Sequence, residues 1–186
     1  MENNLWLSPS ILRTWIVGTT PTAVVFDTQS VKTTPIGGER GFDGYKKISG
    51  RKRFLLVDTL GLLLPVKIVP ANMAETKAAM AGLEKVNEAF SMVTLAWADQ
   101  GFGGEPFSTW LMKEVGWKLE LTNGISTPGK PDFEVAPRRW VIERTIAWLC
   151  RNRRLMCDFE RVVPVSTGWV YAVMTLLMVR RLAKTP

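Results

Sequence analysis

The 186-residue chain contains no histidine. That excludes imidazole acid–base catalysis and His-ligated zinc, so any acid–base or metal work falls to carboxylates. Cysteine is scarce as well, with only Cys150 and Cys157. Seven positions apart in what reads as a helical region, they would share one face with Cα atoms too distant for a disulfide, and are expected as buried thiols of a reducing compartment. No apolar run reaches the roughly 20 residues that span a bilayer. The most apolar late stretch, "WVYAVMTLLMV" at 169–179, reads instead as a packed helix ending in Arg180 and Arg181. The opening "MENNLWLSPSILRTWIVGTTP" lacks the basic start and long apolar core of an ordinary secretion signal. A cytoplasmic location and no membrane partner are therefore expected.

What is present is enough for one sizeable core and, most simply, one domain, since 46% of residues are hydrophobic and 22% charged. The 24 Lys and Arg against 17 Asp and Glu leave a formal charge of +7. Excess positive charge on a compact domain favours a polyanionic partner, nucleic acid foremost.

Along the chain, Ala23 to Val31 reads as a buried strand because Val24, Val25 and Phe26 form a continuous β-favouring run. "KTTPIGGERGFDGYKKISGRKR" is rich in glycine and charge and reads as a loop or hairpin tip. "FLLVDT" (54–59) and "LLLPVKIV" (62–69) read as a hairpin joined at Leu60-Gly61, with Pro65 pointing to an edge. Residues 74–90 carry apolar positions at helical spacing. "MVTLAWAD" (92–99) returns to strand and is broken by "QGFGG". A short helix at 105–115, a short strand in "WKLELTN", a loop over "GISTPGKPDFEVAP", a helix from Pro137 through "RRWVIERTIAWLCRNRRL" and a last helix at about 168–183 complete the reading. Strands alternating with helices indicate an α/β sheet covered by helices, with a site at strand ends.

Asp27 and Asp99 each stand where an apolar strand gives way to a polar or glycine-rich turn. Either they cap those turns, or adjacent strands bring them together, in which case crowded carboxylates favour a raised pKa or bound cations. An oxygen-only donor set suits Mg2+ or Mn2+. Glu143 lies one helical turn after Arg139, which makes an exposed ion pair, or else a third metal ligand beside an arginine that contacts phosphate or orients the carboxylate.

The blocks "VVFDTQSVKTT", "GYKKISGRKRFLLVDTLGLLLPVKIVPAN", "WADQGFGG" and "PRRWVIERTIAWLCRNRRL", in this order over residues 22–182, resemble the catalytic region of the IS5 family of bacterial insertion-sequence transposases, within the IS4-type DDE group. The resemblance implies a ribonuclease H-like mixed sheet flanked by helices, with Asp27, Asp99 and Glu143 as an acidic triad for two Mg2+ or Mn2+ ions and Arg139 as the arginine preceding the glutamate. It implies DNA strand cleavage and transfer by phosphoryl displacement, on double-stranded DNA bearing terminal inverted repeats, in the bacterial nucleoid. An upstream reading-frame product and a further copy of the chain on DNA are the partners it suggests. Lys46, Lys47, Arg51, Lys52 and Arg53 near the expected tip, with Arg138, Arg144, Arg151, Arg153 and Arg154 along the helix, then become candidate contacts to the DNA backbone. Phe42 and Tyr45 are candidates to stack on an unpaired base, and Trp140 and Trp148 are expected in the core.

Three positions depart from the family pattern: Ala136 replaces a common tyrosine, Phe54 a common histidine, and "ADQGF" the usual glycine or lysine after the second Asp. Residues 1–21 are expected as a short extension before a catalytic domain at 22–186, too short for the family's helical end-binding domain. The chain therefore reads as the downstream product of a split frame or a decayed copy, and the alternative to an active enzyme is a non-catalytic, truncated DNA-binding remnant.

Overall fold

The computed structural model describes residues 20–35, 38–84, 86–122 and 138–183. The expected extension, apart from its last two residues, and the stretch expected as a loop at 124–137, which includes Ala136, lie outside them. Strands are β1 Ala23–Lys32, β2 Gly41–Asp43, β3 Ile48–Asp58, β4 Leu63–Pro70, β5 Leu95–Ala98 and β6 Lys118–Leu121. Helices are α1 Glu75–Leu83, α2 Val86–Ala89, α3 Glu105–Trp110, which runs on into a π turn at Leu111–Val115, α4 Trp140–Cys150 and α5 Val163–Leu182.

β1 is the central strand. It pairs antiparallel with β3 from Val24↔Asp58 to Lys32↔Gly50 and parallel with β5 only from Ala23↔Leu95 to Val25↔Trp97. β6 continues the parallel side, while β2 and β4 share the far edge of β3. β4 is thus an edge strand, as Pro65 suggests, and its register slips between Leu55 and Val57 of β3, opposite the proline.

Alternation along the strands sends side chains to two cores. Val24 and Phe26 of β1, with Phe54 and Leu56 of β3, pack under α1, α2 and α3 together with Phe102, Phe107 and Trp117. Ala23, Val25, Leu55 and Val57 face α4 and α5 through Ile142, Leu149, Val170 and Met174. Phe54, the position where the family favours histidine, is fully buried 5.6 Å from Phe26. An apolar ring is what that pocket requires.

Four expectations are corrected. The "KISGRKR" stretch is not a loop, because β3 begins at Ile48 and runs through it. The helix expected over 74–90 is two helices, with Leu83 and Val86 both buried on either side of the break. Cys150 ends α4 and Cys157 lies beyond it after a 3-10 turn, so the two free thiols do not share a helix face. The last helix starts earlier than expected, and its Val163–Arg181 stretch is long and apolar enough to cross a membrane by length and composition. Here Ser166, Val170, Met174 and Met178 form its buried stripe, at the four-residue spacing of one helix face.

Candidate active site

β1 loses β5 as a neighbour after Val25, because β5 stops at Ala98. Asp27 stands two residues beyond the last paired position and Asp99 directly follows β5, so both carboxylates reach the gap that opens between the strands. One cavity of about 670 Å³ is lined by Asp27, Thr28, Asp99, Gly101 and Arg139, with Asp43, Lys46, Lys52 and Glu75 on its other walls. Asp99 caps the short 3-10 turn at Gln100–Phe102, accepting from Gly101 N–H at 2.9 Å. Asp27 accepts from Thr28 N–H at 2.6 Å. The turn-capping reading of Asp99 is therefore true of its geometry, and leaves its second oxygen for other work.

Arg139, at the N-terminal end of α4, lines that cavity, and Glu143 lies one helical turn on, beside the arginine. Arg139 Nη2 lies 3.6 Å from Asp99 Oδ2, and its Nε lies 3.3 Å from Glu143 Oε1. Arg138, one residue earlier, holds a left-handed φ of 81°, unusual for a residue with a Cβ. Its guanidinium sits 4.6 Å from the Trp97 ring centroid and 3.5 Å from Glu120, contacts that hold the bend from which Arg139 enters the cavity.

Electrostatics single out Asp27. Burial pushes its carboxyl up to about 6, the Thr28 N–H opposes the shift, and the charge of Asp99 adds to it, with Arg139 and Lys46 pulling back down. A carboxylate raised by burial and by a like-charged neighbour is poised to exchange its proton for a cation. The oxygen-only donors of Asp27 and Asp99 fit a hard divalent ion. Glu143 is engaged by Arg139, and among the described residues no group of three or more Asp, Glu, Cys or His converges closely enough to hold a metal ion unaided.

The candidate basic residues separate into two sets. Lys46 and Lys47 are exposed on the β2–β3 turn, and Arg138, Arg151, Arg153 and Arg154 are exposed along α4 and just after it. Arg144 is half-buried, its guanidinium 4.2 Å from the Trp140 ring and 4.7 Å from Trp148. Trp140 is 45% exposed, which corrects the core position expected from the sequence; the Arg144 guanidinium lies over its ring.

Arg51, Lys52 and Arg53 are the correction. All three are buried in β3 and committed internally. Arg51 donates to Asp158 Oδ2 at 3.0 Å and to the Glu160 and Arg161 carbonyls, Arg53 to the Leu155 carbonyl at 2.8 Å, and Lys52 to the Met73 carbonyl at 2.7 Å. They are not surface contacts for a DNA backbone, although Lys52 still lines the cavity wall.

Two acidic residues of the cavity carry no sequence signal. Asp43 accepts from the Ser30 hydroxyl at 2.6 Å and from the Tyr45 and Lys46 N–H groups. Burial works against its charge, but the Lys46 N–H, the Ser30 hydroxyl and the Lys52 and Lys46 ammonium groups hold its carboxyl below the ordinary value. Glu75 opens α1, where an acid is the ordinary complement of the helix dipole, so nothing in the sequence marks it as part of a site. The 59% exposed Phe42 and 94% exposed Tyr45 stand on the cavity rim.

A family profile described as "Transposase DDE domain" matches residues 18–178. No curated protein is significantly similar to the chain in sequence. Among solved structures, the chain is similar to one from the cryo-EM structure of a simian T-cell lymphotropic virus intasome in complex with PP2A regulatory subunit B56 gamma, with TM-score 0.51 and 11% identity over 82% of this chain and 48% of that one. This chain thus spans about half the length of the intasome chain. The HTLV-2 integrase catalytic core domain in complex with magnesium gives TM-score 0.46 and 12% identity over 83% of this chain and 84% of that one. The Mos1 mariner paired end complex with Mn gives TM-score 0.38 and 11% identity over 97% and 61%. At such low identity the intasome likeness shows the fold alone, a ribonuclease H-like mixed sheet flanked by helices.

Proposed function

The chain belongs to the transposase DDE domain family, and on that premise we propose that it carries out divalent-metal-dependent DNA strand cleavage and transfer at the cavity between β1 and β5. The observation that carries this reading is the convergence of Asp27 and Asp99 from two strand ends onto one cavity that Arg139 also lines, with Glu143 paired to that arginine. In this reading Asp27 and Asp99 would hold Mg2+ or Mn2+, with Glu143 as the third carboxylate and Arg139 as a contact to a DNA phosphate. Two such ions, when bound, supply an activated attacking oxygen and charge neutralisation for the leaving oxygen of an in-line displacement. The protein contributes binding and orientation, with Arg139 screening the acidic pair.

The finer membership is the IS5 family within the IS4-type group, supported by the four ordered sequence blocks. DNA with terminal inverted repeats is the proposed substrate, held by Lys46 and Lys47 on one side of the cavity and by Arg138, Arg144, Arg151, Arg153 and Arg154 along α4 and the turn that follows. An upstream reading-frame product would supply end recognition, and a second copy of the chain would serve the second end.

A second reading, a non-catalytic DNA-binding remnant, draws on the engagement of Glu143 by Arg139. Nicking of terminal-repeat DNA separates the two. Cleavage that requires Mg2+ or Mn2+, and that Asp27→Asn, Asp99→Asn and Glu143→Gln each reduce at least a hundredfold while DNA binding persists, is the expected result. Binding by the wild type without metal-dependent cleavage, even with the upstream product added, would establish the remnant.

A further inference from the structure

Glu75 stands between the two acids that the reaction uses. Its Oε1 accepts the Thr28 hydroxyl at 2.8 Å, and the same Thr28 donates its backbone N–H to Asp27 at 2.6 Å. Lys46 Nζ lies 3.5 Å from that oxygen and 3.4 Å from the Thr28 carbonyl, fastening the pair from the other side. The second oxygen, Oε2, faces Gly101, whose N–H holds Asp99. A methyl group on Gly101 would run into Glu75 Oε2 and stand 3.0 Å from Asp99 Oδ1, so a glycine is what lets the α1 carboxylate and the β5-end carboxylate share this space.

We propose that Glu75 is a positioning carboxylate that sets the spacing and orientation of Asp27 and Asp99, acting through Thr28 and Lys46 on one oxygen and against the Gly101 turn with the other. This rests on the reading of the cavity as a divalent-metal site. Glu75 is not offered as a ligand. Its charge holds Lys46 against β1, and its hydrogen bond fixes the residue from which Asp27 takes its own N–H bond. Neighbours that orient metal-binding carboxylates in this way are worth roughly ten- to a hundredfold in metal affinity.

The test is Mn2+ binding to the full chain without DNA, followed by isothermal titration calorimetry, beside urea unfolding of the same samples. Glu75→Ala should weaken Mn2+ binding about tenfold or more without abolishing it. Glu75→Gln, which keeps an acceptor for Thr28 and nearly the same shape, should lie closer to the wild type and guards against a variant that fails to fold. If Glu75 only caps α1, both variants will lower the urea midpoint and leave Mn2+ affinity unchanged, which overturns the proposal while wild-type Mn2+ binding stands. Loss of binding as complete as in Asp27→Asn would overturn it by making Glu75 a ligand. Wild-type protein that binds no Mn2+ would overturn it together with the reading of the cavity.

Discussion

Asp27 combines a β1 position, a buried carboxyl and a like-charged neighbour, and pays for the combination in stability. Its pKa is raised from 3.8 to about 6, so the fold favours the protonated acid. The stability this contributes is fully present below about pH 3.8 and is lost as pH rises through about 6. Asp27→Asn, which removes the charge but not the shape, should therefore stabilise the metal-free protein at pH 8 by roughly 1–3 kcal/mol, with the gain shrinking towards zero near pH 4. Urea titrations of both proteins at the two pH values check this; a gain of equal size at both would show that the carboxyl is not strained by its surroundings. A group that folding holds at a disadvantage for the sake of a site is a departure from local consistency that function explains. The sequence reaches this residue through its company rather than its own pattern, since an aspartate after an apolar run is as readily a turn cap.

At the scale of elements, β3 carries the largest difference between what the sequence suggests and what the fold does. Charge and glycine in "GYKKISGRKR" read as solvated turn, yet only the first half is turn and the second half is buried strand. The reason is long-range pairing. Asp158, which neutralises Arg51, also takes the Ser166 hydroxyl at 2.7 Å, and it lies 107 residues away in the chain. The Leu155 carbonyl that meets Arg53 is 102 residues away. No local window contains both partners. This network ties the segment after α4 to the central sheet, and the isolated bridge between Thr33 and Asp158 strengthens the same seam. Arg51→Ala should leave Asp158 buried without its partner and cost about 3–5 kcal/mol, whereas Arg151→Ala on the exposed side should stay within about 0.5 kcal/mol. Chemical denaturation measures both; near-equal small losses would mean that the buried pair is not holding the seam. By contrast β1, the β3–β4 hairpin core, β5, β6, α4 and most of α5 are legible locally, because their apolar periodicity, turn glycines and breakers all agree with the final fold.

For the whole molecule, the +7 charge is divided by the fold rather than spread evenly. Arg51, Lys52 and Arg53 are buried in β3, Lys46 and Arg139 line the cavity that gathers Asp27, Asp99, Glu75 and Asp43, and Arg151, Arg180 and Arg181 line another. An acidic cleft with Lys46 and Arg139 on its walls is suited, on the proposed function, to hold a polyanion's backbone while presenting a phosphodiester to Asp27 and Asp99. The acidic pair was readable from strand ends and motif order. The Arg139–Glu143 pair was readable from its i,i+4 spacing, but the bracing by Glu75 and Asp43 and the contact of Arg139 with Asp99 were not, because they arise from elements that meet only in three dimensions. On the proposed function, this cleft binds catalytic divalent ions through Asp27 and Asp99. Crystals of the protein soaked in Mn2+, with anomalous scattering collected at the manganese edge, test it most directly. A manganese peak roughly 2 Å from carboxylate oxygens of both Asp27 and Asp99 is expected, with a second ion and a released Glu143 when DNA is present; full manganese occupancy elsewhere with none at this pair would show that the cleft is not the metal site.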